Sequence, residues 1–191
     1  MTDDVEPALD IGFPDLDVEF VADESEDRTR RVRVVDNSLR PSKANIAAFW
    51  SKVVKSPPTC WYWVGAISAP DGYGRFNFQR QNRQRTMLAH RFSVELVHGP
   101  LAPDVVCEHK CNEPLCVRVG PEHLVESTHS ENVRYAIALG RLAGHALFDG
   151  QGRTRYERSL AIREALRDGY DAEALLHAKI NPGGDSQGTL F

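Results

Sequence analysis

The sequence predicts an α+β fold, in which short β-prone runs and amphipathic helices share one domain over residues 41–140. Three observations predict it. Aromatic and β-branched runs at 60–64, 75–78 and 105–109 read as strands. Apolar residues recur at helical spacing over 43–54, 90–98 and 128–139. Cys111, Cys116 and His123 follow one another closely enough to ligate a single tetrahedral metal, which would staple a loop-rich core.

At 191 residues the chain has room for one domain plus tails, and 41% hydrophobic content is ordinary for a soluble globular protein. No apolar run of about 18 residues is present, so a membrane-spanning helix is not expected. The N-terminus is acidic and has no apolar stretch of the secretory kind. With no export signal, the four cysteines (60, 107, 111 and 116) point to a metal rather than to disulfides. The net charge of −4 is uneven. Residues 1–27 hold 11 of the 27 acids and no Lys or Arg, which leaves 16 acids against 23 bases in the rest. A basic body with an acidic arm suits a partner such as nucleic acid.

Taken in order, residues 1–40 read as a disordered acidic arm ending in a basic linker, with Arg28, Arg30, Arg31, Arg33 and Arg40. Ser42 can cap a helix over 43–54, which Pro57 and Pro58 stop. The aromatic run 60–64, the turn Asp71-Gly72-Tyr73-Gly74 and the alternating run 75–78 predict an antiparallel hairpin, with a third strand near 85–88. A helix starts at His90 and ends at Gly99-Pro100. The strand 105–109 delivers His109, and residues 110–123 form the Cys/His knuckle. Thr128 and Glu131 form a capping box for a helix to about Leu139, with Val133, Ala136 and Ile137 on its core side. Residues 141–182 read as a linker and a small helical hairpin, and 183–191 as a flexible Gly-rich tail.

The run His109-x-Cys111-x4-Cys116-x6-His123-x8-Asn132, taken with Cys60, Gly72-Tyr73-Gly74 and Ala89-His90-Arg91, resembles the His-Me finger (HNH) endonucleases. The likeness is to the His-Cys box branch and its phage homing relatives, and covers roughly residues 45–140. It implies a ββα-metal core with a zinc knuckle, an antiparallel sheet before it and a helical tail after it. It implies a metal-dependent DNA endonuclease encoded by a phage or mobile element and acting in the cytoplasm of a bacterial host. His109 becomes the general base, Asn132 a ligand of the catalytic Mg2+, and Arg91 the holder of the scissile phosphate. Glu108 or a backbone carbonyl would fix the tautomer of His109. The partner is double-stranded DNA, with the sheet in the major groove and Arg75, Arg80, Arg83 and Arg85 along it.

Structural zinc needs four ligands, and Cys111, Cys116 and His123 supply three. Cys60 and Cys107 compete for the fourth place. The resemblance implies Cys60, and Cys107 shares a strand face with His109, so its use would turn the base toward the zinc. The gap from Cys116 to His123 is two residues longer than the family's usual one, which a loop tolerates. The last five residues resemble the Q-x-x-L-F motif that docks on the replicative sliding clamp, through Gln187, Leu190 and Phe191. Double-strand cleavage would call for a homodimer. The alternative reading is a catalytically inactive zinc-knuckle DNA-binding or accessory protein recruited to that clamp.

Overall fold

The structure, a computed structural model, describes residues 39–56, 59–138 and 152–180. The acidic arm, most of its basic linker, Gly140 and the clamp-like residues Gln187, Leu190 and Phe191 lie outside the described residues. No described helix is long and apolar enough to cross a membrane.

Helix α1 (Lys43–Trp50) begins where expected, with the Ser42 hydroxyl accepting the Asn45 amide at 3.2 Å. It ends earlier than the sequence suggests. Val53–Lys55 is instead strand β1, antiparallel to β2 (Trp61–Trp63), with Val53 opposite Trp63. The two adjacent valines gain more from aromatic cross-strand neighbours than from a last helical turn.

A second sheet has the order β3-β4-β5, from Ala66–Ile67, Gly74–Arg80 and Arg83–Leu88, all antiparallel. The Gly72 turn joins β3 to β4, so the hairpin is present, but its first strand is the short β3 and not 60–64. A tighter hairpin follows at Gln81-Asn82, where both residues take positive φ (53° and 57°) as a two-residue turn between twisted strands requires. Helix α2 (Ala89–His98) follows β5 without a loop and stops at Gly99, φ 83°. Strands β6 (Val106–His109) and β7 (Leu124–Ser127) pair antiparallel around the knuckle. Strand β7 has no counterpart in the sequence reading. Helix α3 (His129–Ala138) starts from the expected capping box: Glu131 donates its amide to the Thr128 hydroxyl at 3.2 Å and accepts the Thr128 amide at 2.9 Å. The chain order is therefore strand, knuckle, strand, helix. No residue of α3 is fully buried, and Ile137 is 56% exposed rather than facing the core.

The core is an aromatic cluster of Phe49, Trp63, Phe76, Phe78 and Phe92, with Phe49–Trp63 and Phe76–Phe92 centroids 5.2 and 4.7 Å apart. A β-carbon on Gly74 would collide with the Trp63 indole, so glycine there lets the sheet close on the ring. Helices α4 (Arg155–Ala165) and α5 (Ala172–Ile180) bring Ile162, Leu166 and Leu175 into the same core cluster. The helical hairpin thus packs on the body. Arg158 of α4 binds the buried Glu113 of the knuckle at 2.9 Å, and Lys179 of α5 donates to the Tyr62 hydroxyl at 2.8 Å. Arg153 donates to the carbonyls of Ala178 and Lys179 at 2.9 and 3.0 Å, tying the two helices together.

Candidate active site and metal centre

Four ligand atoms from three parts of the chain converge beside β2. Cys60, Cys111, Cys116 and His123 place theirs within 4.8 Å of one another. Two separations test the fit. A tetrahedral zinc with Zn–S about 2.3 Å and Zn–N about 2.0–2.1 Å sets sulfur and nitrogen about 3.6 Å apart. His123 Nδ1 lies 3.6 Å from the Cys60 sulfur and 3.7 Å from that of Cys116. The donor set and its spacing suit zinc. Cys60 takes the fourth place, and Cys107 is not in the cluster. Without an ion the sulfurs contest each other's ionisation: contact with Cys111 is the main cause that pushes the Cys60 thiol up to about 12. Backbone bonds lock the loop, with Lys110 donating to the His123 carbonyl at 2.7 Å and Trp63 to the Leu115 carbonyl at 2.8 Å.

On the other side of the knuckle lies a cleft of about 500 Å³, lined by Arg91, His109 and Asn132 together with His90, Glu108 and Tyr73 among others. The three residues singled out for chemistry, 41 positions apart at the extremes, therefore share one cavity. His109 ends β6 with Nε2 3.1 Å from the Cys116 carbonyl oxygen. A carbonyl only accepts, so Nε2 carries the proton and Nδ1 keeps its lone pair. The backbone carbonyl, not Glu108, orients this ring, and Glu108 binds Lys110 at 2.8 Å. Burial is the main cause that holds the His109 pKa below its ordinary value, and the charge of Arg155 works in the same direction. The ring is thus neutral near pH 7.

Two aromatic neighbours hold that imidazole. Tyr73 stacks on it with centroids 5.8 Å apart, and His90 meets it edge-on at 4.6 Å. Tyr73 also packs on His90 at 5.1 Å. His90 is buried, its Nδ1 has no hydrogen-bond partner, and burial pulls its pKa well below the usual value. The Asn132 side chain faces the cleft from the first turn of α3.

Arginines divide by use. Arg91 lines the cleft, but its guanidinium forks onto the carbonyls of Val105 and Ala102 at 2.7 and 2.8 Å. Arg75 binds Asp71 at 2.9 Å and Arg80 binds the buried Glu95 at 2.8 Å. Arg83 and Arg85 are exposed on β5, opposite Arg80 and Phe78. The four arginines expected along one ribbon are therefore two ion-paired residues, Arg75 half-buried and Arg80 largely buried, and two solvent-facing cations. Sequence reasoning placed Tyr73 only in its turn and gave it no part beside His109; the contact is between distant segments and carries no local signal.

Comparisons with known proteins reach part of this site. Residues 87–134 match the family model described as HNH endonuclease. That segment holds His90, Arg91, His109, Asn132 and three of the four clustered ligands, and leaves out Cys60 and Tyr73. The chain is also similar to protein 7.7 of Escherichia phage T7, 29% identical over 84 residues. The aligned region is 44% of this chain and spans 59% of that protein. No solved structure is a significant match. Over residues 87–134 the chain is therefore similar to the HNH endonuclease family.

Proposed function

We propose that this protein is a metal-dependent DNA endonuclease of phage type, with a ββα-metal core formed by β6, β7 and α3. The observation that carries the reading is the state of His109: a neutral imidazole tied through Nε2 to a carbonyl, its Nδ1 left as a base in a cleft shared with Arg91 and Asn132. His109 Nδ1 takes a proton from a water directed at phosphorus. The new bond forms between that water oxygen and phosphorus, and the bond to the 3′-oxygen breaks, leaving 5′-phosphate and 3′-hydroxyl ends. The leaving oxygen takes its proton from solvent. Tyr73 and His90 fix the plane of the base on two sides.

The residues present fit a catalytic magnesium. Asn132 offers an amide oxygen and Glu108 a carboxylate in the same cleft, and hard oxygen ligands are what that ion prefers. When bound, the ion supplies charge neutralisation at the phosphate and the departing oxygen. Arg91 supplies its remaining N–H groups to the phosphate. The Cys60, Cys111, Cys116 and His123 site takes zinc with a structural role, since a closed set of four ligands leaves no position for substrate. Arg83 and Arg85 are the arginines of the ribbon free to meet DNA.

The test is zinc-loaded protein on supercoiled plasmid, with and without magnesium, beside His109→Ala. Magnesium-dependent nicking that His109→Ala loses while keeping its zinc is the expected result. DNA binding with no nicking by the wild type would replace this reading with a recognition module.

A further inference from the structure

We propose that Arg155, supplied by α4 from outside the HNH-matched segment, is a further phosphate-binding residue beside the catalytic cleft, next to its lining residue Tyr73, holding the DNA strand flanking the phosphate that His109 addresses. The proposal rests on the nuclease reading above.

Position comes first. The Arg155 guanidinium carbon lies 5.9 Å from the centroid of Tyr73, the ring that stacks on His109. One aromatic ring thus separates the cation from the base. A guanidinium resting on a ring keeps N–H groups at its edge available, which is how it forks onto phosphate oxygens.

The cation is also uncommitted. Of the other arginines in the hairpin, Arg153 is bound to α5 carbonyls, Arg158 to Glu113 and Arg167 to Glu164. Arg155 has no carboxylate partner among the described residues. Arg91, the arginine that the sequence singles out, has two of its five N–H groups occupied by backbone carbonyls. A second cation completes the grip on the strand.

The placement is rigid. Gly72 carries φ 71° and comes so close to α4 that a β-carbon would sit 2.7 Å from the Arg155 carbonyl. The capping box of Thr154 and Glu157 fixes the first turn, and the Arg158–Glu113 pair fixes the next. A side chain held this way loses little freedom when it binds.

Binding of a labelled DNA duplex across a salt series, without magnesium, tests the proposal on the full chain. Arg155→Ala is expected to weaken binding about tenfold on every sequence and to lower the slope of log K against log salt by about 0.9. Arg167→Ala, in an exposed pair just past the C-terminal end of α4, keeps the wild-type values. Where Arg155→Ala melts early, Arg155→Gln, which retains the stem and removes the charge, is read in its place with the same expectation. Wild-type affinity and slope in these variants, beside a wild type that binds and nicks DNA, overturns the proposal and leaves the nuclease reading standing. A wild type that neither binds nor nicks DNA removes both.

Discussion

Arg158→Ala tests how the C-terminal hairpin is joined to the metal loop. Glu113 stands between Cys111 and Cys116, with its side chain 4% exposed. It accepts from Arg158 Nη2 at 2.9 Å and Nη1 at 3.4 Å, and from the Leu115 amide at 3.4 Å. Removing Arg158 leaves a buried carboxylate with one long backbone donor. Breaking a buried pair from one side costs about 3–5 kcal/mol. Arg158 is itself 22% exposed, so water replaces part of its contact and the lower figure, about 3 kcal/mol, applies. For a chain of this size each kcal/mol shifts Tm by about 2–4 °C, so the variant should melt about 9 °C below wild type. The assay is thermal unfolding followed by circular dichroism at one fixed zinc excess, because bound metal shifts Tm by mass action. The double variant Glu113→Gln/Arg158→Ala should recover part of the loss, since the orphaned charge is gone. A Tm drop under about 2 °C for Arg158→Ala, or no recovery in the double variant, would refute the claim that this pair anchors α4.

Arg80→Ala and Arg83→Ala should separate cleanly: the first strands the buried Glu95 and destabilises by about 3 kcal/mol, as chemical unfolding will register. The second leaves stability unchanged and lowers the salt slope of DNA binding by about 0.9. Cys111→Ser should lose zinc in a chromophoric chelator titration and destabilise the domain, whereas His109→Ala keeps both metal and fold. His90 gives a pH signature. Its folded pKa is depressed by burial, so the unfolded chain takes up a proton near pH 6.5 that the folded chain refuses. Its contribution is fully present above that pH and falls as pH drops below it, by up to about 1.4 kcal/mol per unit. Urea unfolding at pH 7.5 and 5.5 should therefore show a shallower loss in His90→Phe than in wild type, and equal losses would count against a neutral buried His90.

Local signals were legible in the sequence because each is written in one short run. The Ser42 cap, the Gly99 stop, the Thr128–Glu131 box and the knuckle spacing all concern residues a few positions apart, and all four appear as read. What the sequence hid was pairing. Val53 and Val54 satisfy a helical period and a strand equally, and only the presence of Trp61–Trp63 opposite them decides the matter. The same limit applied to the arginines. Arg75, Arg80, Arg83 and Arg85 look alike along the chain, yet Arg75 meets Asp71 of the adjoining turn, Arg80 meets Glu95 of α2, and the other two face solvent. Strand β7 escaped notice because four residues with one fully buried apolar side chain give no period to count.

The cleft itself shows why a motif of 24 residues, from His109 to Asn132, is not the whole machine. The motif brings His109 and Asn132, but the orientation of the His109 ring comes from elsewhere. Tyr73 stands in the turn before β4, His90 opens α2, and both press on the His109 ring from outside the motif. Tyr73 is in turn backed by Arg155 of α4, and α4 is pinned to the knuckle by Arg158. The knuckle loop can point its Cys116 carbonyl at His109 only as firmly as the loop is held. The buried Glu113–Arg158 pair, placed between two of the clustered cysteines, makes the C-terminal hairpin part of that grip. The His109 ring, its tautomer and its aromatic walls thus depend on segments spread from residue 73 to residue 158, and a perturbation at the far end should reach His109 through geometry rather than charge.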